Sequence, residues 1–307
     1  MADQNITTLP EKTAPATGDK FLGIGTAEEY LIDYDKLADA VLGKLTSKTY
    51  ALDQGTKSLV AALNELNSKT LVSFGESTGA GLHNSLFRGK NLGTSFTSAQ
   101  SATITAGTFN DLFVGDYWVL NNIRYRIAGF DIFLRTGDVE LTKHHVVIVP
   151  DEILYQAQMN ETDTTVGGYY YSKMKQENLT QALATVSTDF GLTHILTRRA
   201  LLDNTVISND PSAWNWYDTQ IDLMNEMQVY GGLIWGQATH NGYYIGCDHS
   251  RFPLFNIAPN FITVRGKWYW LRTVRSSAGF AGVAYTGYAD AGGSSVSYGV
   301  RPYFLVA

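Results

Sequence analysis

At 307 residues, with 44% hydrophobic, 12% aromatic and 17% charged positions, the chain is long enough for one large domain plus smaller pieces. A net charge of −6 and the lack of any Lys/Arg run argue against nucleic acid as a partner. No apolar stretch approaches the roughly 20 residues that span a bilayer, so no membrane insertion is expected.

The first residues lack the basic region and apolar core of a signal peptide, so synthesis without standard export is expected. Residues 1–20 carry Pro10, Pro15, Gly18 and many Thr and Ala, too little apolar surface for a core of their own. A hairpin is predicted around Gly25–Glu29, then a helix capped by Asp33 or Asp35 and running to about Leu45. Its apolar positions Leu37, Val41 and Leu45 recur every four residues as a narrow stripe. A second helix is predicted over Thr56–Asn67, with Leu59, Leu63 and Leu66 on one side. Stripes this narrow on short helices need a partner, either the chain's own main domain or further copies around a symmetry axis. Residues 75–110 are rich in Gly, Ser and Thr, with alternating pieces such as Ser101–Thr105, and read as a loop or small β segment.

From Asp111 the texture is that of a dense globular domain. Gly115–Leu120 and Ile123–Ala128 predict a hairpin around Asn121-Asn122, with Phe130–Leu134 continuing the strand region. His144–Pro150 reads as a buried strand stopped by proline. Two helices follow, Lys173–Leu183 extending towards Phe190, and Trp216–Tyr230 with Asp218 near its start. After Gly231-Gly232 the chain reads as β and loop: Trp268–Arg272 and Gly299–Val306 bracket a Gly/Ser/Ala/Tyr-rich loop from Ser276 to Ser297. Strands, two helices, then strands and long loops predict an α+β domain.

Chemistry is sparse. His144 and His145 are adjacent on a predicted strand, so their side chains face opposite sides and cannot share one metal. Asp131, Asp138, Glu140, Asp248 and Asp290 are candidate catalytic carboxylates by type only, since no spacing singles out a pair. Cys247 is the only cysteine, which rules out an intrachain disulfide, and reads as a small, partly buried residue. Arg272 and Arg301, inside apolar strand sequence, read as structural, with a carbonyl or a carboxylate such as Asp116 or Asp131 as partner. Trp118, Trp268 and Trp270 read as core, whereas Trp235 and the pair Tyr243-Tyr244 have polar flanks and read as rim.

Gly115-Asp-Tyr-Trp118, the Tyr125–Phe130 strand, His144–Pro150, Gly167-Gly168-Tyr169, Trp270-Leu-Arg272 and Gly299-Val-Arg301-Pro302 occur in this order. Together, over about residues 110–307, they resemble a C-type-lectin-like domain common in bacteriophage tail fibre and gut-bacterial adhesion proteins. The fold is similar to that of retroelement-diversified phage receptor-binding proteins. Thr8-Leu-Pro10, Ile32–Ala38 and Thr56–Leu66 resemble the start of many phage tail or fibre proteins, whose segments attach the appendage to the particle and trimerise it.

The resemblance implies a pairing of Tyr125–Phe130 with Val300–Val306 and loops projecting from the opposite end. It also implies a non-enzymatic virion protein without a cofactor or metal. The calcium-loop tripeptides of sugar-binding lectins and the paired cysteines of formylglycine-generating enzymes are both missing.

Four segments are expected: 1–45 for virion attachment, 46–70 helical and trimerising, 71–110 a linker or small β segment, and 111–307 the lectin-like domain. Expected partners are further copies in a homotrimer, other virion proteins, and a host-surface glycan or protein. Expected ligand contacts are Ser276, Ser277, Tyr285, Tyr288 and Asp290, supported by Trp235, Tyr243 and Tyr244. A purely structural decoration protein is the main alternative, and a polysaccharide depolymerase a further one.

Overall fold

The computed structural model describes residues 13–24, 29–52, 55–64, 79–236 and 250–307. Packing divides the chain into two units, Met1–Glu76 and Ser77–Ala307. In the first, strands β1 (Lys20–Ile24) and β2 (Glu29–Asp33) form the expected antiparallel hairpin, with Ile24 opposite Glu29. Helix α1 (Tyr34–Ser47) starts at once because the Asp33 carboxylate accepts the Asp35 backbone N–H at 3.0 Å, satisfying a donor that the helix itself leaves open. Leu37 is partly buried, Val41 and Leu45 are about half exposed, and α1 has no fully buried residue.

The second helix begins later than its leucine spacing predicts. Strands β3 (Thr49–Leu52) and β4 (Gly55–Ser58) pair as a hairpin, so Thr56 and Lys57 are strand residues. Helical backbone covers 59–64, capped by the Ser58 hydroxyl, which accepts the Ala61 N–H at 3.2 Å. Thr-Lys-Ser has no strong helix preference, and pairing with the Thr49–Ala51 strand prevails over the apolar spacing. Leu59 and Leu63 are about half exposed; Leu66 lies outside the described residues.

In the second unit the stretch expected as loop or small β segment is helical. Helices α2 (Ala80–Ser85) and α3 (Ser98–Thr105) contribute His83 and Ile104 to the core. A reciprocal capping box between Thr97 and Gln100 starts α3, so Ser101–Thr105 is its body and not an alternating strand.

Strand β5 (Tyr117–Leu120) turns into β6 (Ile123–Phe130) through Asn121 and Asn122, both left-handed at φ 46° and 68°, as the Asn-Asn pair predicts. The strand ends at Phe130 and does not reach Leu134. Asp131 turns left-handed (φ 52°), and its carboxylate accepts the His145 N–H at 2.8 Å. Strand β7 (Val146–Pro150) is buried at all five positions and therefore takes a neighbour on each side. One is β6 and the other is the last strand, β16 (Pro302–Val306). The expected pairing of Tyr125–Phe130 with Val300–Val306 is thus replaced by two pairings through β7. With β11 (Ile221–Leu223) the sheet order is β11-β16-β7-β6-β5.

The first half of the predicted helix over Trp216–Tyr230 is strand. β9 (Arg198–Ile207) and β10 (Asp210–Thr219) form a long hairpin through Ser208 and Asn209, both left-handed. Asp218 lies in β10, and only α5 (Glu226–Tyr230) is helical, started by an Asn225–Gln228 capping box. The aromatic alternation Trp214/Trp216 carries a period of two that the later Ile221, Leu223 and Met224 conceal. The other expected helix is present as a π-helical turn, Met174–Asn178, leading into α4 (Leu179–Phe190), which buries Leu179, Ala182, Val186 and Phe190. A short helix α6 (Pro253–Ile257) follows, burying Leu254 and Phe255.

The second five-stranded sheet has the order β14-β13-β12-β15-β8, from β8 (Tyr155–Gln158), β12 (Tyr269–Ser276), β13 (Gly279–Val283), β14 (Ala289–Gly293) and β15 (Ser297–Val300). Strand outweighs helix, 34% to 27%, so the sheets carry this mixed α and β architecture. Between β15 and β16, where the chain passes from one sheet to the other, Arg301 is fully buried. Its guanidinium donates to the carbonyls of Pro150 (2.9 Å), Ile262 (3.1 Å) and Phe261 (2.8 Å) and to the Tyr269 hydroxyl (3.2 Å). Its partners are therefore carbonyls and a hydroxyl; Asp116 instead pairs with Arg88, and Asp131 with His144.

Candidate binding site

Most of the stretch expected as a permissive loop, Ser276–Ser297, is sheet. Phe280–Ala284 are buried, and β14 lines β13 in full register, from Gly279 opposite Gly293 to Val283 opposite Ala289. The Gly and Ala content that suggests a loop serves instead to let rings lie on the sheet. A Cβ at Gly292 would stand 2.8 Å from the Tyr298 ring and 3.0 Å from that of Trp270. Trp270, Gly282 and Asp290 are cross-strand neighbours in one row.

At the tip of the β13–β14 hairpin Tyr285 and Tyr288 are about half exposed. Both rings approach Trp268, at 6.1 Å and 51° for Tyr285 and 6.2 Å and 78° for Tyr288. Tyr298 stacks on Trp268 at 5.3 Å and lies 4.5 Å from Trp270. Trp268, expected in the core, is thus only partly buried and forms the floor of the exposed tyrosines, while Trp118 and Trp270 are core as expected. Partial desolvation, and after it the nearby Asp290 carboxylate, raise the Tyr288 phenol above its ordinary pKa. The tip is held in place: the Tyr230 hydroxyl donates to the Gly287 carbonyl at 3.1 Å. Gly287 is left-handed (φ 93°), and a Cβ there would meet Thr263 Oγ1 at 2.3 Å.

The other expected contacts are not brought to this patch. Ser276 and Ser277 sit at the opposite end of β13, about 17 Å from Tyr285 by strand rise. Their carbonyls accept from Thr165, and the Ser277 N–H donates to Asn209 Oδ1, so they act as framework. Trp235 is partly exposed beneath Arg275, whose guanidinium lies 5.1 Å from its ring centroid. The amides of Ile234, Trp235 and Gly236 converge on the buried Glu226 carboxylate. Tyr243, Tyr244, Cys247 and Asp248 lie outside the described residues. Trp268 and Tyr298 are the additions; Trp268 immediately precedes β12, and both it and Trp270 meet the Tyr298 ring.

Two of the candidate carboxylates, Asp131 and Asp138, are engaged elsewhere. Asp131 Oδ2 lies 2.6 Å from His144 Nδ1, and Asp138 takes a two-pronged bond from Arg199 at 2.8 Å on each oxygen. Among the described residues no group of three His, Cys, Asp or Glu side chains is arranged to hold a metal, and no helix is long and apolar enough to cross a membrane. His144 is partly exposed and His145 is buried, so the two face different environments as expected.

His145 is held neutral. Its Nε2 accepts the Phe133 N–H at 3.2 Å, leaving Nδ1–H to donate to the Lys143 carbonyl at 3.0 Å. Burial pushes its pKa down to about 4, against the opposing pull of the Lys143 carbonyl and Asp131. A histidine depressed from 6.5 binds its proton in the unfolded chain first, so stability falls as pH drops from about 6.5 to 4, by on the order of 3 kcal/mol. Urea unfolding across that window should show this slope, and His145→Gln should flatten it.

No protein-family model, curated protein or solved structure matches the chain.

Proposed function

We propose that the protein is a non-enzymatic phage virion appendage, of tail or head fibre type, that binds a host-surface ligand through the Trp268–Tyr285–Tyr288 patch. The Ser77–Ala307 unit is proposed to be a C-type-lectin-like domain. Supporting this, its early strands β5 and β6 and its last strand β16 share one sheet. The observation that carries the binding reading is the hairpin tip: two half-exposed tyrosines on a partly buried tryptophan, between the buried strand β13 and its partner β14. Rigid aromatic side chains with polar tips give large contact area at low entropic cost. The half-exposed Val41, Leu45, Leu59 and Leu63 support self-association of the first unit, proposed as a homotrimer attached to other virion proteins.

Tyr285→Ala combined with Tyr288→Ala should weaken adsorption of the purified protein to host cells by roughly thirtyfold, the loss typical of a two-residue hot spot. The melting temperature should move by only about 2 °C, because both side chains are exposed. Unchanged adsorption would remove the patch from consideration. A purely structural decoration role draws on a different feature, the exposed Val166, Tyr171 and Ile207 around the β9–β10 hairpin, which would seat a neighbouring virion protein. If that reading holds, Ile207→Asp impairs particle incorporation and leaves adsorption by the free protein intact.

A further inference from the structure

Several of the described aromatic rings carry a guanidinium, and the aromatic patch does not. Arg88 covers Phe113 (4.8 Å), Arg124 covers Tyr117 (4.6 Å), Arg275 covers Trp235 (5.1 Å) and Arg301 lies 5.1 Å from Tyr269. Among the described residues no Lys or Arg lies over Trp268, Tyr285, Tyr288 or Tyr298, and the sequence of 237–249 contains neither residue. The charged group here is the Asp290 carboxylate, on β14 two residues beyond Tyr288, whose charge helps to raise both the Tyr288 and the Tyr298 phenols. Ring faces carry negative potential, so rings and carboxylate act with the same sign on whatever enters.

Shape narrows the ligand further. Tyr285 and Tyr288 stand at 51° and 78° to Trp268, and Tyr298 already stacks on that ring. The result is a corner of ring faces. A flat sugar ring needs one open ring face, whereas a compact cation is attracted by several faces at once. A metal ion would need several converging oxygens, and the described residues contain no such group. A methylated ammonium needs no hydrogen-bond acceptors, only ring faces and a nearby negative charge.

We infer that this corner binds a quaternary ammonium group of the choline type, displayed on a polar surface polymer; the inference rests on the patch being the ligand site. A net charge of −6 and the Asp290 carboxylate oppose docking on an anionic bilayer, which favours the polymer as the source.

The test is titration of the full chain, by tryptophan fluorescence and isothermal calorimetry, with choline, its neutral isostere 3,3-dimethylbutan-1-ol, and cellotetraose. Choline should bind with a millimolar dissociation constant, at least tenfold tighter than the isostere, and cellotetraose should not bind. Asp290→Asn should weaken choline about fivefold with the melting temperature unchanged, and Tyr288→Ala should abolish binding. The protein should be retained on choline-agarose and should not co-sediment with phosphatidylcholine vesicles. Equal affinity for choline and its isostere, or binding of cellotetraose alone, overturns the inference; vesicle binding overturns the polymer source. If choline fails while the double tyrosine variant still loses host-cell adsorption, the ligand class is wrong and the patch reading stands. If that variant adsorbs normally, both fall.

Discussion

Arg301→Ala should lower the melting temperature of the protein by roughly 10 °C, more than any surface substitution, because it unties both sheets at the residue where the chain crosses between them. The guanidinium bridges Pro150 at the end of β7, the Phe261 and Ile262 carbonyls, and Tyr269 at the start of β12. Removing it leaves three buried carbonyls without this donor and opens a cavity between the Tyr269 and Phe255 rings, a combined cost of about 3–5 kcal/mol. Arg301→Lys keeps the charge but not the fork. A single ammonium on a flexible stem does not span carbonyls arranged around a planar group, so Lys should recover less than half of the loss. Scanning calorimetry of the three proteins checks this; a shift below about 3 °C for alanine would show that the carbonyls find other donors.

Arg301 also illustrates what the sequence makes legible. An arginine inside Gly-Val-Arg-Pro-Tyr-Phe-Leu-Val has to be structural, and it is, but its partners come from three separate segments and no local pattern names them. Features set by neighbouring residues are readable in the same way: the Asn121-Asn122 turn, the Asp33 cap and the proline that closes β7. Features set by tertiary pairing are not. Gly279–Gly293 has the composition of a loop, and becomes two strands because its missing side chains make room for Trp270 and Tyr298. Trp214 and Trp216 precede an apolar run of near-helical spacing, yet the left-handed Ser208-Asn209 turn returns β10 along β9. The site divides along the same line. Tyr285, Tyr288 and Asp290 stand out as isolated side chains among small residues, whereas Ser276 and Ser277 are near them only in sequence. Trp268 is concealed by the tendency of tryptophan to be core.

Val41→Glu combined with Leu45→Glu should convert the protein to a monomer, its mass in sedimentation falling from that of three copies to 33.8 kDa. Helix α1 has 14 residues, a length at which an isolated helix in water is only marginally stable, and it has no fully buried residue of its own. Val41, Leu42, Leu45, Leu59, Val60 and Leu63 each keep about half of their surface in contact with water. In the proposed trimer, packing that surface against further copies would supply the burial that the helix needs, and a carboxylate at two stripe positions would place like charges from every copy around one axis. The proposed binding patch lies in the other unit, so affinity for a soluble monovalent probe such as choline should stay unchanged. Adsorption to a surface that displays many ligands should drop by about 10²-fold or more, because each weak contact then acts alone. A double variant that keeps its mass would assign the exposed leucines to some other partner. A monomer that still adsorbs at full strength would mean that one patch suffices and that multivalency is not how this protein holds its ligand.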